Sequence, residues 1–159
     1  MPRTLSLPTR KYPPAGLARR LAASLYDSIL LVALVVVATL GYFSGLAAWM
    51  GGSRLKAMAE QGELIGDPIL SILIVLVSFA YFAGYWIHNG QTLGMQAWKI
   101  RIQNTDGTRI SLPQAALRFA AALFSYLCLG VGLLWILVDT RKRSWSDLAS
   151  KSQTIHILE

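Results

Sequence analysis

Two uncharged apolar runs, residues 29–50 and 69–87, are 22 and 19 residues long, and a chain carrying both has few places to put them. A helix of about 20 apolar residues matches the roughly 30 Å hydrocarbon core of a bilayer. The apolar residues come in blocks, which favours membrane spans over amphipathic core helices. With 54% hydrophobic and only 14% charged residues in 159, the chain reads as one small membrane domain.

The net charge of +7 sits beside the apolar runs and not in a patch suited to nucleic acid. Basic groups so placed set orientation and touch anionic lipid headgroups. Cys128 has no partner cysteine, so no disulfide or thiolate metal site is available within the chain. Residues 1–16 carry Pro2, Pro8, Pro13 and Pro14, and no Ala-x-Ala site follows the long apolar run. They read as a disordered basic arm leading into a signal-anchor helix, not as a cleaved leader.

The pattern predicts a first helix over residues 17–43, with Gly41 and Gly45 in a small-xxx-small spacing. A polar loop follows over residues 51–67, and a second span over residues 68–88. Asp67 is placed to cap that helix, and Pro68 loses no hydrogen bond at its first position. Beyond Gly90 the period changes to alternation. Residues 98–103 and 108–112 flank Asn104-Thr105-Asp106-Gly107, which predicts a small cytoplasmic β-hairpin over residues 98–112. Residues 154–158 alternate as well and offer a third strand.

The path of the third apolar helical segment, residues 113–139, is set by charge. If it crosses once, the basic tail of residues 140–159 lies outside, and the Lys/Arg count is eight inside against six outside. If it turns back, the count is twelve against two, which the positive-inside bias prefers. The stretch is too short for two crossings, so a returning path needs a break near Gly130-Val131-Gly132 and protein to cover it. Gln114, Arg118 and Ser125 fall on one side of the helix, in keeping with a partly wet face. The fold class is therefore an all-α membrane protein with two transmembrane helices, a third segment broken or re-entrant near residues 130–132, and the small hairpin. Both termini are expected in the cytoplasm.

Arg20 and Asp27 are seven residues apart, within about 20° on a helix and roughly 10 Å apart along its axis. Too far for a direct pair, they call for a third group, and Asp147 or Arg118 could be that group if the tail folds back. An aspartate at a helix centre in lipid costs on the order of 3 kcal/mol. Such a network of Arg20, Asp27, Arg118 and Asp147 is either a proton or cation site or a structural tie between the first helix and the tail. No nucleophile–base arrangement, phosphate loop or metal-ligand spacing emerges, so neither an enzyme nor a cofactor is expected. Arg141-Lys142-Arg143 with Trp145 reads as a lipid-facing basic anchor.

The chain resembles the RDD family of small bacterial membrane proteins. The match begins with Arg20 and the aspartate of Leu25-Tyr26-Asp27, and continues through Gly90-Gln91-Thr92-Leu93-Gly94, Ile100-Arg101-Ile102, Asp106-Gly107 and Leu117-Arg118. It closes with Asp139, the basic run Arg141-Lys142-Arg143, and Ser146-Asp147-Leu148-Ala149, where Asp147 stands as the second aspartate. Two positions depart from the family pattern. Ser146 stands where a histidine is usual, and Met95 where a basic residue often follows the glycine turn. The resemblance implies an inner-membrane protein and a suggested role in transport of unidentified ligands. Two or three spans need a second copy or another membrane protein to form a path. The competing expectation is a membrane assembly factor or scaffold whose Arg and Asp residues hold the fold.

Overall fold

The computed structural model describes residues 12–157, so most of the expected basic arm (residues 1–11) lies outside the described residues. The described chain divides into two compact units, one built from residues up to Ser28 and from Tyr81 onward, the other from Ile29–Ala80.

The Ile29–Ala80 unit holds most of the two uncharged apolar runs. Helix α1 spans Leu17–Met50, seven residues past the expected end. Gly41 and Gly45 do not stop it, as glycine inside apolar spans is well tolerated. Gly51, at φ 90, ends the run. The expected loop contains a short helix, α2 (Gly52–Glu60). Helix α3 (Pro68–His88) occupies the predicted residues. Asp67 caps it as expected, with Oδ1 accepting from Ile69 N–H at 2.8 Å and Oδ2 taking the Tyr42 hydroxyl at 2.6 Å. Val32, Val37, Leu40 and Ile72 are each 60% exposed or more, an outward apolar surface suited to lipid. α1 and α3 are both long and apolar enough to cross a membrane.

The other unit opens with the start of α1 and the end of α3, followed by helix α4 (Leu93–Ala97) and strand β1 (Ile100–Asn104). Next come helix α5 (Leu112–Leu127) and a sharp bend into helix α6 (Val131–Leu134), with a 3₁₀ turn over Trp135–Leu137. Helix α7 (Trp145–Ala149) and strand β2 (Ser152–His156) complete it. The small two-stranded sheet is present, but with a different partner from the one expected. β1 pairs antiparallel with β2, Ile100 opposite His156 and Asn104 opposite Ser152. The turn at residues 104–108 forms, closed by Asn104 N–H to Thr108 O at 2.9 Å. The chain then enters α5, because Ser111 N–H donates to Gln114 Oε1 at 2.9 Å and starts a helix where the hairpin's second strand was expected. The hairpin over residues 98–112 is thereby replaced by a pairing with the C-terminal strand.

The break in the third apolar segment lies beside the predicted place. Leu129 and Gly130 adopt φ 55 and 80, and α5 meets the segment after it at 109°. Gly132 makes the turn-back possible, since a Cβ there would stand 2.6 Å from Ser125 Oγ and 2.7 Å from the Trp145 ring. Ser125 Oγ accepts Leu133 N–H at 3.1 Å, and Phe124 stacks on Trp145 at 6.0 Å. The polar side of α5 is not wet. Arg118 and Ser125 are buried, and Gln114 Nε2 donates to Ser150 O at 3.0 Å.

β2 is also bonded to the residues that lead into α1. Ala15 N–H donates to Thr154 O at 2.9 Å, and His156 N–H to Pro13 O at 2.8 Å. The entry to α1 and the C-terminal strand therefore share one side.

Candidate functional site

The four residues expected to form one polar network are all buried, but they separate into two arrangements. In the first, Asp147 sits between two arginines. Its Oδ2 receives Arg20 Nη1 at 2.5 Å, and its Oδ1 receives Arg118 Nη1 at 2.7 Å. Thr154 Oγ1 donates to Oδ1 at 2.8 Å, and Ser144 N–H to Oδ2 at 3.1 Å. Asp147 can reach both because Ser144 and Asp147 form the capping box of α7. Burial alone would raise the Asp147 pKa, but the Arg118 and Arg20 guanidiniums outweigh it and hold the carboxyl well below the usual range.

The arginines are equally committed. Arg20 Nε donates to Ala15 O at 3.0 Å and Nη2 to Lys142 O at 3.0 Å. Arg118 donates to Ser152 Oγ at 2.7 Å and Thr154 Oγ1 at 2.8 Å, and its guanidinium lies 5.6 Å from the centre of the Trp86 ring. Every donor here is a fixed N–H or is held by one, so the cluster fits a single charge state of Asp147.

The second arrangement surrounds Asp27, which is 2% exposed. Its partners are Thr92 Oγ1, Gly94 N–H at 2.9 Å and the Tyr81 hydroxyl at 3.1 Å. Among the described residues no basic side chain pairs with it, and no hydrogen bond joins it to the Arg20–Asp147–Arg118 cluster. The expectation that Arg20 and Asp27 share an intervening group is therefore corrected. Arg20 turns away from its own helix toward the tail, and a guanidinium whose donors are filled there has none left for Asp27.

The glycine turn explains the carboxylate's surroundings. Gly90 takes φ 71, where a Cβ would stand 2.8 Å from Ile102 O. Gln91 Nε2 donates to Ile100 O at 2.8 Å, fastening the turn to β1. Thr92 caps α4, accepting Met95 N–H at 3.2 Å while donating to Asp27. At Gly94 a Cβ would run into Ala23 O and come within 2.9 Å of Asp27 Cγ, so only glycine lets this N–H approach the carboxylate. The turn was singled out in the sequence, but its partner was not. Tyr81, Ser144 and Thr154 were missed. The Ser-x-x-Asp spacing of residues 144–147 carries a capping signal that would have found Ser144.

Asp139 and the basic run form a separate turn. Arg143 grips Asp139 through Nε at 3.0 Å and Nη2 at 2.9 Å, while Arg141 N–H and Arg143 N–H also donate to Oδ2. The Arg143 hydrogen bonds lower the Asp139 pKa to about 2. Arg143 is thus committed to this turn, whereas Arg141 and Lys142 are exposed.

The RDD family's model matches residues 14–151, nearly the whole chain. No curated protein and no solved structure matches it.

Proposed function

This chain belongs to the RDD family, and on that premise we propose that it is a multi-pass inner-membrane protein, a transport or ion-exchange component with Asp27 as the carboxylate that changes charge. One observation carries the reading, namely the contrast in donors between the two buried aspartates. Guanidinium and backbone N–H groups can only donate, whereas a hydroxyl both donates and accepts. Two of the three groups on Asp27, Thr92 Oγ1 and the Tyr81 hydroxyl, are hydroxyls. Thr92 Oγ1, on Oδ2, can rotate to serve either a carboxylate or a carboxylic acid, while Gly94 N–H stays with the Tyr81 hydroxyl on Oδ1. Protonating Asp147 would instead set a proton against arginine donors. Asp27 is therefore suited to exchange a proton or bind a small cation, and Asp147 to hold the fold.

Both termini are assigned to the cytoplasm, in line with the positive-inside bias and with the bonding of β2 to the entry of α1. Two spans and one bent pair are too few for an alternating-access path, so a second copy or another membrane protein completes it. No enzymatic step is assigned.

A scaffold or assembly factor is the second reading. It is favoured by the Arg20–Asp147–Arg118 cluster, which ties the α1 entry, α5 and the tail together. Reconstitution separates the two. In proteoliposomes, Asp27→Asn at equal folded content should abolish pH- or sodium-driven flux if transport holds. Unchanged flux, or no flux in the native chain alone or with a co-purified partner, would leave the scaffold reading in its place.

A further inference from the structure

Beyond either reading of Asp27, the tail forms a cavity of about 380 Å³ lined by Arg20, Arg141, Lys142, Arg143, Lys151 and Asp147 among others. Among the described residues Asp147 is the one acid in that lining, and Arg20 and Arg118 already neutralise it. Arg143 is paired with Asp139. Arg141, Lys142 and Lys151 remain, and among the described residues none of them has an ion-pair partner. Three uncompensated cations around one concavity repel each other until an anion enters.

Two of these cations are also held in an unfavourable backbone conformation. Lys142 and Lys151 adopt φ 54 and 51, the left-handed region that a glycine occupies without cost. Both line the cavity, one on each side of α7. Keeping a side chain where glycine would be easier directs attention to what that side chain does.

The position of the cavity decides the source of the anion. Leu137 and Val138, 71% and 72% exposed, end the bent apolar segment only three residues before Arg141. At no more than about 3.5 Å per residue, Arg141 lies within roughly 11 Å of side chains suited to hydrocarbon. A headgroup layer about 5–8 Å deep in each leaflet lies within that reach. We propose that this cavity binds the phosphate of an anionic phospholipid headgroup through Arg141, Lys142 and Lys151. The basic run then serves as a bounded headgroup site and not as a general adhesive surface.

The test uses the full chain in mild non-ionic detergent, titrated with short-chain phosphatidylglycerol and followed by native mass spectrometry. Short-chain phosphatidylcholine and glycerol 3-phosphate are the comparison probes. The informative variant is Lys142→Gly/Lys151→Gly, which removes two cations while relaxing the backbone and keeping the Lys142 carbonyl that Arg20 uses. Its melting temperature should not fall. Saturable binding of one phosphatidylglycerol, weaker binding of phosphatidylcholine, and a roughly twenty-five-fold loss in the double variant are expected from about fivefold per basic residue. Unchanged affinity in the variant, or equal binding of phosphatidylcholine, would overturn the site. Glycerol 3-phosphate binding as tightly as the lipid would overturn the headgroup as its source.

Discussion

Arg20 pairs with Asp147, 127 residues further along the chain, and not with Asp27 on its own helix. The first turn of α1 is thereby fastened to the capping box of α7, next to the strand that ends the described chain. This tie fixes where the bent apolar segment must return. Through it the tail's aspartate stays bonded to the entry of the first long apolar helix.

Topology follows from that pairing. Reporters fused before residue 12 and after Glu159 should read the same compartment, and one inserted in α2 (Gly52–Glu60) the opposite one. Opposite readings at the two ends would break the pairing of β2 with residues 13–15.

Close packing at two glycines should be measurable. Gly94→Ala puts a methyl into Ala23 O and the Asp27 carboxylate, and Gly132→Ala puts one against Ser125 and Trp145. Overpacking of this kind costs typically about 1–3 kcal/mol. Gly41→Ala, where nothing lies within 4 Å, is the control and should melt with the native chain. Thermal unfolding in one detergent compares all three.

Acid should weaken the fold in a defined window. Asp147 and Asp139 both have depressed folded-state pKa values, Asp147 because its arginines outweigh its burial, Asp139 through its Arg143 hydrogen bonds. The unfolded chain therefore binds more protons than the folded one in acid. Their contribution is fully present above the unfolded carboxyl range near pH 4 and is lost as pH falls through the folded values, about 2 for Asp139. Melting temperature measured from pH 6 downward should hold to about pH 4 and then decline. A decline already complete at pH 4 would contradict the two depressed carboxyls.

Much of this architecture was legible in the sequence because length without charge is a strong signal. The α3 boundaries, the Asp67 cap and the break beside Gly130 each follow from local rules about spans, caps and left-handed glycines. What failed was partner choice. Alternation at residues 98–103 announces a strand but cannot say that its neighbour lies about 50 residues on, delivered by the packing of α7 on α5. Helical spacing placed Arg20 over Asp27, yet a long guanidinium is free to leave its helix, and it does so for a buried carboxylate. The donors to Asp27 come from residues 54 to 67 positions away, beyond any local pattern.

The separation of the two aspartates is tested most directly by melting Asp27→Asn and Asp147→Asn side by side in the same detergent. At position 27, asparagine can keep the Gly94 and Tyr81 bonds while Thr92 turns to accept, so a loss of about 1 kcal/mol or less is expected. At position 147 the same change leaves two buried guanidiniums without a negative charge, and about 3–5 kcal/mol should be lost, enough to deplete folded protein from the membrane. Equal losses at the two positions, or a larger loss at Asp27, would contradict the account.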